Sequence, residues 1–249
     1  MADIITLYDI PSTNPSKAWS PNLWKARFAL NIKGLPYRTV WVEYPDIEPL
    51  CKKIGAAKTN SISAAYTLPV IHDPAHNAVV SDSIEIARYL DKTYPDTTPL
   101  FPRGSQALQA AFQSAHQSTV VQATYLLVIP PSCAKLNHAS EPFFRRAREA
   151  NFGMKMEEFS PLGPARDLQW KALSAGHQAI ASWLAQNEQG PFVMGDQISY
   201  ADATIAAYFI WMRTVFGSES AEWKDVLTWQ DGRWAAYMEE FKRFEQVVE

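Results

Sequence analysis

A Ser-Pro step at Ser20-Pro21 stands between a strand-like run, Ile4 to Ile10, and an amphipathic helical pattern. Proline at a first helical position has its backbone angle preset and lacks only an N–H that would be orphaned there anyway, so Pro21 fixes the helix start and makes Ser20 the N-cap. Gly34 stops the helix after Lys33, and a second strand-like run follows from Tyr37 to Val42. A strand, a helix and a strand in that order predict a parallel pair joined by a helical crossover. The helix start also places the Ser20 hydroxyl beside free backbone amides, a corner that favours an anion.

The next fifty residues complete a small α/β unit. A short helix from about Asp46 to Ile54 ends at Gly55, and an irregular Thr59 to Ala65 loop leads to a strand over Leu68 to Ile71. Pro69 removes a ladder donor, so it belongs at a strand entry or in a cis turn. Asp73-Pro74-Ala75-His76-Asn77 is a turn into Ala78 to Val80, which makes an antiparallel hairpin. Ser81-Asp82-Ser83 then precedes a helix to Tyr94 with Ile86, Ala87 and Leu90 at helical spacing, a second helix N-terminus with donors for a carboxylate. The predicted order is βαβαββα.

Pro95, Pro99 and Pro102 mark a linker, after which no strand alternation appears. We expect a first domain over 1–95, a linker over 96–104 and an all-helical domain over 105–249. Helical stretches run from Ser105 to Ile129, broken at Pro130-Pro131, then from Pro142 to Phe152 and from Arg166 to Gln186. Ser199 and Asp202 have the spacing of a capping box that opens a hydrophobic helix to about Phe216, with Ile198 and Ala203 stapling its entrance. These two polar residues are structural. Trp211, Trp223, Trp229 and Trp234 read as packing residues, since an aromatic ring buries so much area.

At 249 residues and 47% hydrophobic content the chain is long enough for two globular domains. A net charge of -3 gives no electrostatic reason to expect nucleic acid or an anionic membrane as partner. No apolar stretch approaches a membrane span and no secretory leader precedes the first strand, so a cytoplasmic location is expected. Cys51 and Cys133 form no Cys-x-x-Cys pattern, as suits a reducing compartment. The five histidines lack metal-ligand spacing and read as surface or satisfied residues, and no glycine-rich phosphate loop is present. Neither a metal nor a nucleotide cofactor is expected.

In order and spacing, Ser20-Pro21-Asn22, Leu68-Pro69 and Asp82-Ser83 resemble a cytosolic glutathione transferase over almost the whole chain, with a thioredoxin-like first domain and an all-helical second. The run from Ser20 to Leu30 is similar to the bacterial β-aryl etherases and the etherase-related serine-type transferases of wood-degrading fungi, and Gly195 to Asp202 resembles the folding module of the second domain. The resemblance implies that Ser20, with Asn22 as a second donor, binds the sulfur of glutathione. It implies that Leu68, ahead of a cis Pro69, pairs with the cysteinyl backbone, and that Asp82 and Ser83 hold the γ-glutamyl end. The chain departs from the family where the cation for the glycine carboxylate is expected, and Lys53, Lys52 and Lys58 all stand as candidates. The long segment Pro11 to Trp19 would shape an acceptor pocket between the domains, with Trp19, Phe112, Tyr125 and Trp211 lining it. A homodimer is also implied.

A free thiol has a pKa of about 8.5, and lowering it by about two units needs roughly 2.7 kcal/mol of anion stabilisation. A helix N-terminus supplies roughly 0.3 to 2 kcal/mol and a hydrogen bond to a charged acceptor about 1.5 to 3, so no basic residue is required. The expected activity is attack of the glutathione thiolate on hydrophobic, aromatic electrophiles, including ether or ester cleavage of lignin-derived or phenolic compounds. The alternative is a ligand-binding protein that sequesters polyphenols. A thiol reductase would need a cysteine at the position of Ser20.

Overall fold

The computed structural model describes residues 4–59 and 64–249. The first strand, β1 (Ile5–Asp9), is buried throughout and pairs in parallel with β2 (Tyr37–Trp41), Leu7 lying opposite Thr39. Between them runs helix α1 (Pro21–Lys33), closed by Gly34 at φ +66°, a left-handed conformation that suits glycine. Helix α2 (Ile47–Ile54) leads on to β3 (Val70–Asp73), which lies antiparallel to β1 with Leu7 opposite Ile71. Strand β4 (Ala78–Ser81) completes the sheet in the order β2-β1-β3-β4, and α3 (Ser83–Thr93) closes the βαβαββα unit. The third strand begins at Val70 rather than Leu68, because Pro69 has no N–H to give to the ladder; the Leu68-Pro69 bond is cis. Of the predicted Thr59 to Ala65 loop, residues 60–63 lie outside the described residues.

The second half is helical: α4 (Gln106–His116), α5 (Gln122–Cys133), α6 (Glu141–Phe152), α7 (Pro164–Leu184), α8 (Tyr200–Phe216) and α9 (Ala221–Phe241). A π-helical turn, Gln117–Val121, joins α4 to α5. The predicted break at Pro130-Pro131 does not occur, and both prolines lie within the end of α5. One local and one tertiary bond hold that turn together: Ser132 Oγ donates to the Val128 carbonyl within α5 at 2.6 Å, and Trp211 Nε1 of α8 donates to Ser132 Oγ at 2.8 Å. Helix α9 is a further element that the sequence reading did not delimit, interrupted over 229–232 where Gln230 and Asp231 take positive φ.

The Ser199–Asp202 capping box forms as the spacing predicts, with the Ser199 amide and hydroxyl donating to Asp202 at 2.9 and 2.6 Å. Asp202 also accepts from Val193 N and Tyr237 Oη, so this carboxylate ties three segments of the helical domain together. Trp211, Trp223, Trp229 and Trp234 are all buried. His177 is buried and accounted for by Leu173 O at 2.9 Å, whereas His116 is buried among Phe112 and Tyr208 rather than exposed. Burial pushes the two imidazoles down to about 4 and about 3, which keeps them neutral.

Helix α1 packs against both α3 and α8, so the face opposite the sheet becomes the domain boundary. Beneath it, Arg27 and Asp9 pair at 2.6 Å with both side chains fully buried, and Arg27 also donates to Tyr37 and Thr39. Residues 244–249 run beside edge strand β2, where Asn31, Tyr37 and Thr39 donate to the Phe244, Gln246 and Val248 carbonyls. These side-chain bonds fasten the C-terminal segment to the first domain. Among the described residues no helix is long and apolar enough to cross a membrane.

Candidate active site

Ser20 occupies the N-cap of α1 as its sequence predicts, with extended backbone (φ -71°, ψ 131°), and its carbonyl accepts from Trp24 N at 2.9 Å. Its side chain behaves differently from an ordinary cap. The hydroxyl makes no capping bond and has no hydrogen-bond partner among the described residues, although the residue is only 7% exposed. It opens instead on a cavity of about 390 Å³ between the domains. Trp19, Asn22, Leu68, Tyr125 and Trp211 line the same cavity, so the structure brings these predicted residues together around Ser20. Among the described residues no cluster of three or more His, Cys, Asp or Glu side chains could hold a metal ion.

The corner at Asp82 and Ser83 lies one step away. The Asp82 amide donates to the Pro69 carbonyl at 3.2 Å, which sets the start of α3 against the cis Leu68-Pro69 turn. Asp82 caps α3 by accepting from Ile84 N at 2.9 Å and holds a positive φ of 78°, an uncommon conformation for a residue with a side chain. Ser83 is buried, and its Oγ accepts from Tyr200 Oη of α8 at 3.0 Å. Lys25 of α1 also feels this corner: burial pushes its amine down to about 8, against the pull of the Asp82 carboxylate. Lys53 and Lys58 are exposed, and Lys52 is held by Glu48 at 2.6 Å.

Phe112 does not line the cavity. It packs against His116 and Trp183, with ring centroids 6.0 and 6.4 Å apart, because the helical phase of α4 turns it to the other side of the bundle. The Pro11 to Trp19 segment contributes Trp19 and otherwise fastens the two domains together. Thr13 N and Thr13 Oγ1 both donate to the Lys135 carbonyl, at 2.8 and 3.0 Å, and Lys17 pairs with Glu249 at 3.1 Å.

Much of the cavity wall comes from residues the sequence reading missed. Helix α6 contributes Phe143, Phe144, Ala147, Arg148, Asn151 and Phe152, and the first domain adds Tyr44 and Tyr66. The spacing 144, 147, 148 and 151 marks a single helix face, a signal present in the sequence but without an indication of what it faces. Tyr44 is fixed by a lock between domains: its amide donates to Ser140 Oγ at 2.9 Å, while Asn137 and Ser140 both donate to the Glu43 carboxylate. Phe144 meets Trp19 edge-on at 6.1 Å and Tyr44 at 5.5 Å, and Tyr125 meets Trp211 edge-on at 6.1 Å. Chemically this is an anion-favouring helix corner with an unengaged hydroxyl, facing an aromatic wall.

Residues 19–93 match the sequence family described as glutathione S-transferase, N-terminal domain, and residues 107–244 match glutathione S-transferase, C-terminal domain. The glutathione S-transferase CsGST63524 of Ceriporiopsis subvermispora, solved in complex with glutathione, is 47% identical with a TM-score of 0.95, over 99% of this chain and 100% of that one. The glutathione transferase GSTFuA3 of Phanerochaete chrysosporium is 43% identical with a TM-score of 0.94 over the full length of both chains. The glutathione S-transferase-like protein ustS of Aspergillus flavus is 32% identical over 92% of this chain and 86% of its own.

Proposed function

The chain belongs to the glutathione S-transferase family, and on that premise we propose that it is a serine-type, etherase-related enzyme that activates glutathione at Ser20 for attack on aromatic electrophiles. The observation that carries this reading is the Ser20 hydroxyl: buried at a helix N-terminus, unused by its own cap, and open to an aromatic cavity. A thiolate at that corner gains from the helix dipole and from a charge-assisted bond donated by Ser20, with Asn22 as a second donor. Leu68 beside Pro69 presents its backbone to the cysteinyl segment, Asp82 and Ser83 hold the γ-glutamyl end, and Lys53 serves the glycine carboxylate. The glutathione bound in the Ceriporiopsis relative supports glutathione as co-substrate.

In the reaction the thiol proton goes to solvent and the thiolate attacks an electrophilic carbon. A C–S bond forms, the C–O bond to the leaving group breaks, and that group departs as a phenolate or carboxylate. Lignin-derived and plant phenolic compounds suit the aromatic wall. The same wall favours a second reading, sequestration of polyphenols with little turnover. Release of a phenol from a model aryl ether, followed beside binding of a flavonoid, separates the two. Saturable, glutathione-dependent release supports the enzyme, whereas tight flavonoid binding with intact glutathione binding and no release supports the ligand carrier. We further propose a cytoplasmic homodimer, for which light scattering should give twice the 28.0 kDa chain mass.

A further inference from the structure

We propose that Arg148 and Tyr44 form an anion-binding end of the acceptor cavity, so that preferred acceptors are aromatic compounds carrying a carboxylate. The inference rests on the transferase reading and names the substrate class of that site. Two charged side chains line the cavity among the described residues, Glu48 and Arg148. Glu48 is neutralised by Lys52 at 2.6 Å, whereas Arg148 has no carboxylate within ion-pair distance among the described residues. A partly buried guanidinium beside aromatic rings loses hydration that only an anionic partner restores in full.

The arginine is positioned for such a partner. Its guanidinium lies over the Phe144 ring, 4.7 Å from the centroid, and donates to the Tyr44 hydroxyl, so the two polar groups sit together and the guanidinium's remaining N–H donors can serve a carboxylate. Tyr44 stands against the same ring and is anchored through Ser140 and Glu43. Burial pushes its phenol up to about 12, against the influence of Arg148, so at neutral pH it keeps a proton to donate. Trp19 and Phe144, packed edge to face, supply apolar wall for the acceptor's ring in the same cavity as Ser20. Arg148 also offsets the repulsion an acidic acceptor would otherwise meet on approaching a bound thiolate.

The test is a chlorodinitrobenzoate against its methyl ester, in which the glutathione thiolate displaces chloride from the ring. Wild type should favour the acid in kcat/KM by about tenfold or more, the size of one charge-assisted contact. The ratio should fall to near unity in Arg148→Met, recover in part in Arg148→Lys, and drop partway in Tyr44→Phe. Equal use of acid and ester by wild type overturns the proposal. So does a loss of glutathione affinity in Arg148→Met that matches the loss for the acid, since Arg148 would then serve the peptide. If neither compound is turned over, the transferase reading fails. Calorimetric binding of the unreactive dinitrobenzoate against its ester then still decides the proposal: a tighter acid, lost in Arg148→Met, supports it, and equal binding overturns it.

Discussion

The Tyr200 hydroxyl, at the first turn of α8, donates to Ser83 Oγ at the first turn of α3, 3.0 Å away across the domain boundary. The helical domain therefore orients a residue proposed for the glutathione site of the first domain. Both side chains are buried, and burial holds the Tyr200 phenol far above its usual pKa, so it remains a donor at any working pH. Tyr200→Phe should cost about 1 kcal/mol of stability and weaken glutathione binding roughly two- to tenfold. Urea unfolding and calorimetric titration measure the two effects. Unchanged affinity beside a real loss of stability would make the contact purely a domain fastener.

Ser20→Ala keeps the Pro21 helix start and removes the proposed sulfur donor. The pKa of bound glutathione should rise by about one to two units, the equivalent of one hydrogen bond to a charged acceptor. Ultraviolet difference titration of the thiolate reads this directly. An unmoved titration curve would transfer the role to Asn22 or to backbone amides.

Asp73 ends β3 fully buried, and its carboxylate accepts from Tyr94 at 2.6 Å, Tyr89 at 2.7 Å and His76 at 3.1 Å. Burial raises its pKa, but the donors from Tyr94, Tyr89 and His76 more than reverse that, leaving the folded group below its ordinary value. A depressed carboxylate pKa contributes stability that is present above the unfolded value of about 3.9 and lost as pH falls through the folded one. Asp73→Asn should thus cost roughly 1.5 to 3 kcal/mol at neutral pH, and the gap to wild type should shrink below about pH 4. Denaturant unfolding at pH 7 and pH 3 checks the sign. A gap that widens in acid would refute it.

Gly176 in the middle of α7 faces the π-helical turn at Gln117–Val121, where an added Cβ would lie 2.3 Å from the Thr119 carbonyl oxygen. Helix propensity alone favours alanine over glycine by about 1 kcal/mol. The clash is with backbone, so Gly176→Ala should instead destabilise by roughly 1 to 3 kcal/mol. Thermal and urea unfolding will show which term dominates.

Where a structural cause lies within a few residues, the sequence by itself determined the outcome. Pro21 and Gly34 fix the ends of α1, Ser199 and Asp202 open α8, and the βαβαββα order follows from runs and turns that each specify their own geometry. Local rules also put Ser20 at a helix N-terminus, but they could not say that its hydroxyl would leave the cap and open on a cavity. Tertiary structure decided that, and it decided the opposite wall. Tyr44 and Arg148 stand about a hundred positions apart, joined by a Glu43–Ser140 lock between domains, and no spacing within either segment encodes the meeting. Phe112 faces away because helical phase selects a face without naming the neighbour, and Pro130-Pro131 stay helical because Ser132 and Trp211 hold a turn that local propensity would have ended. Short-range sterics and hydrogen bonds settle backbone conformation residue by residue. The lining of a cavity between two domains depends on which distant faces exclude water together, and that is fixed only once the domains have packed.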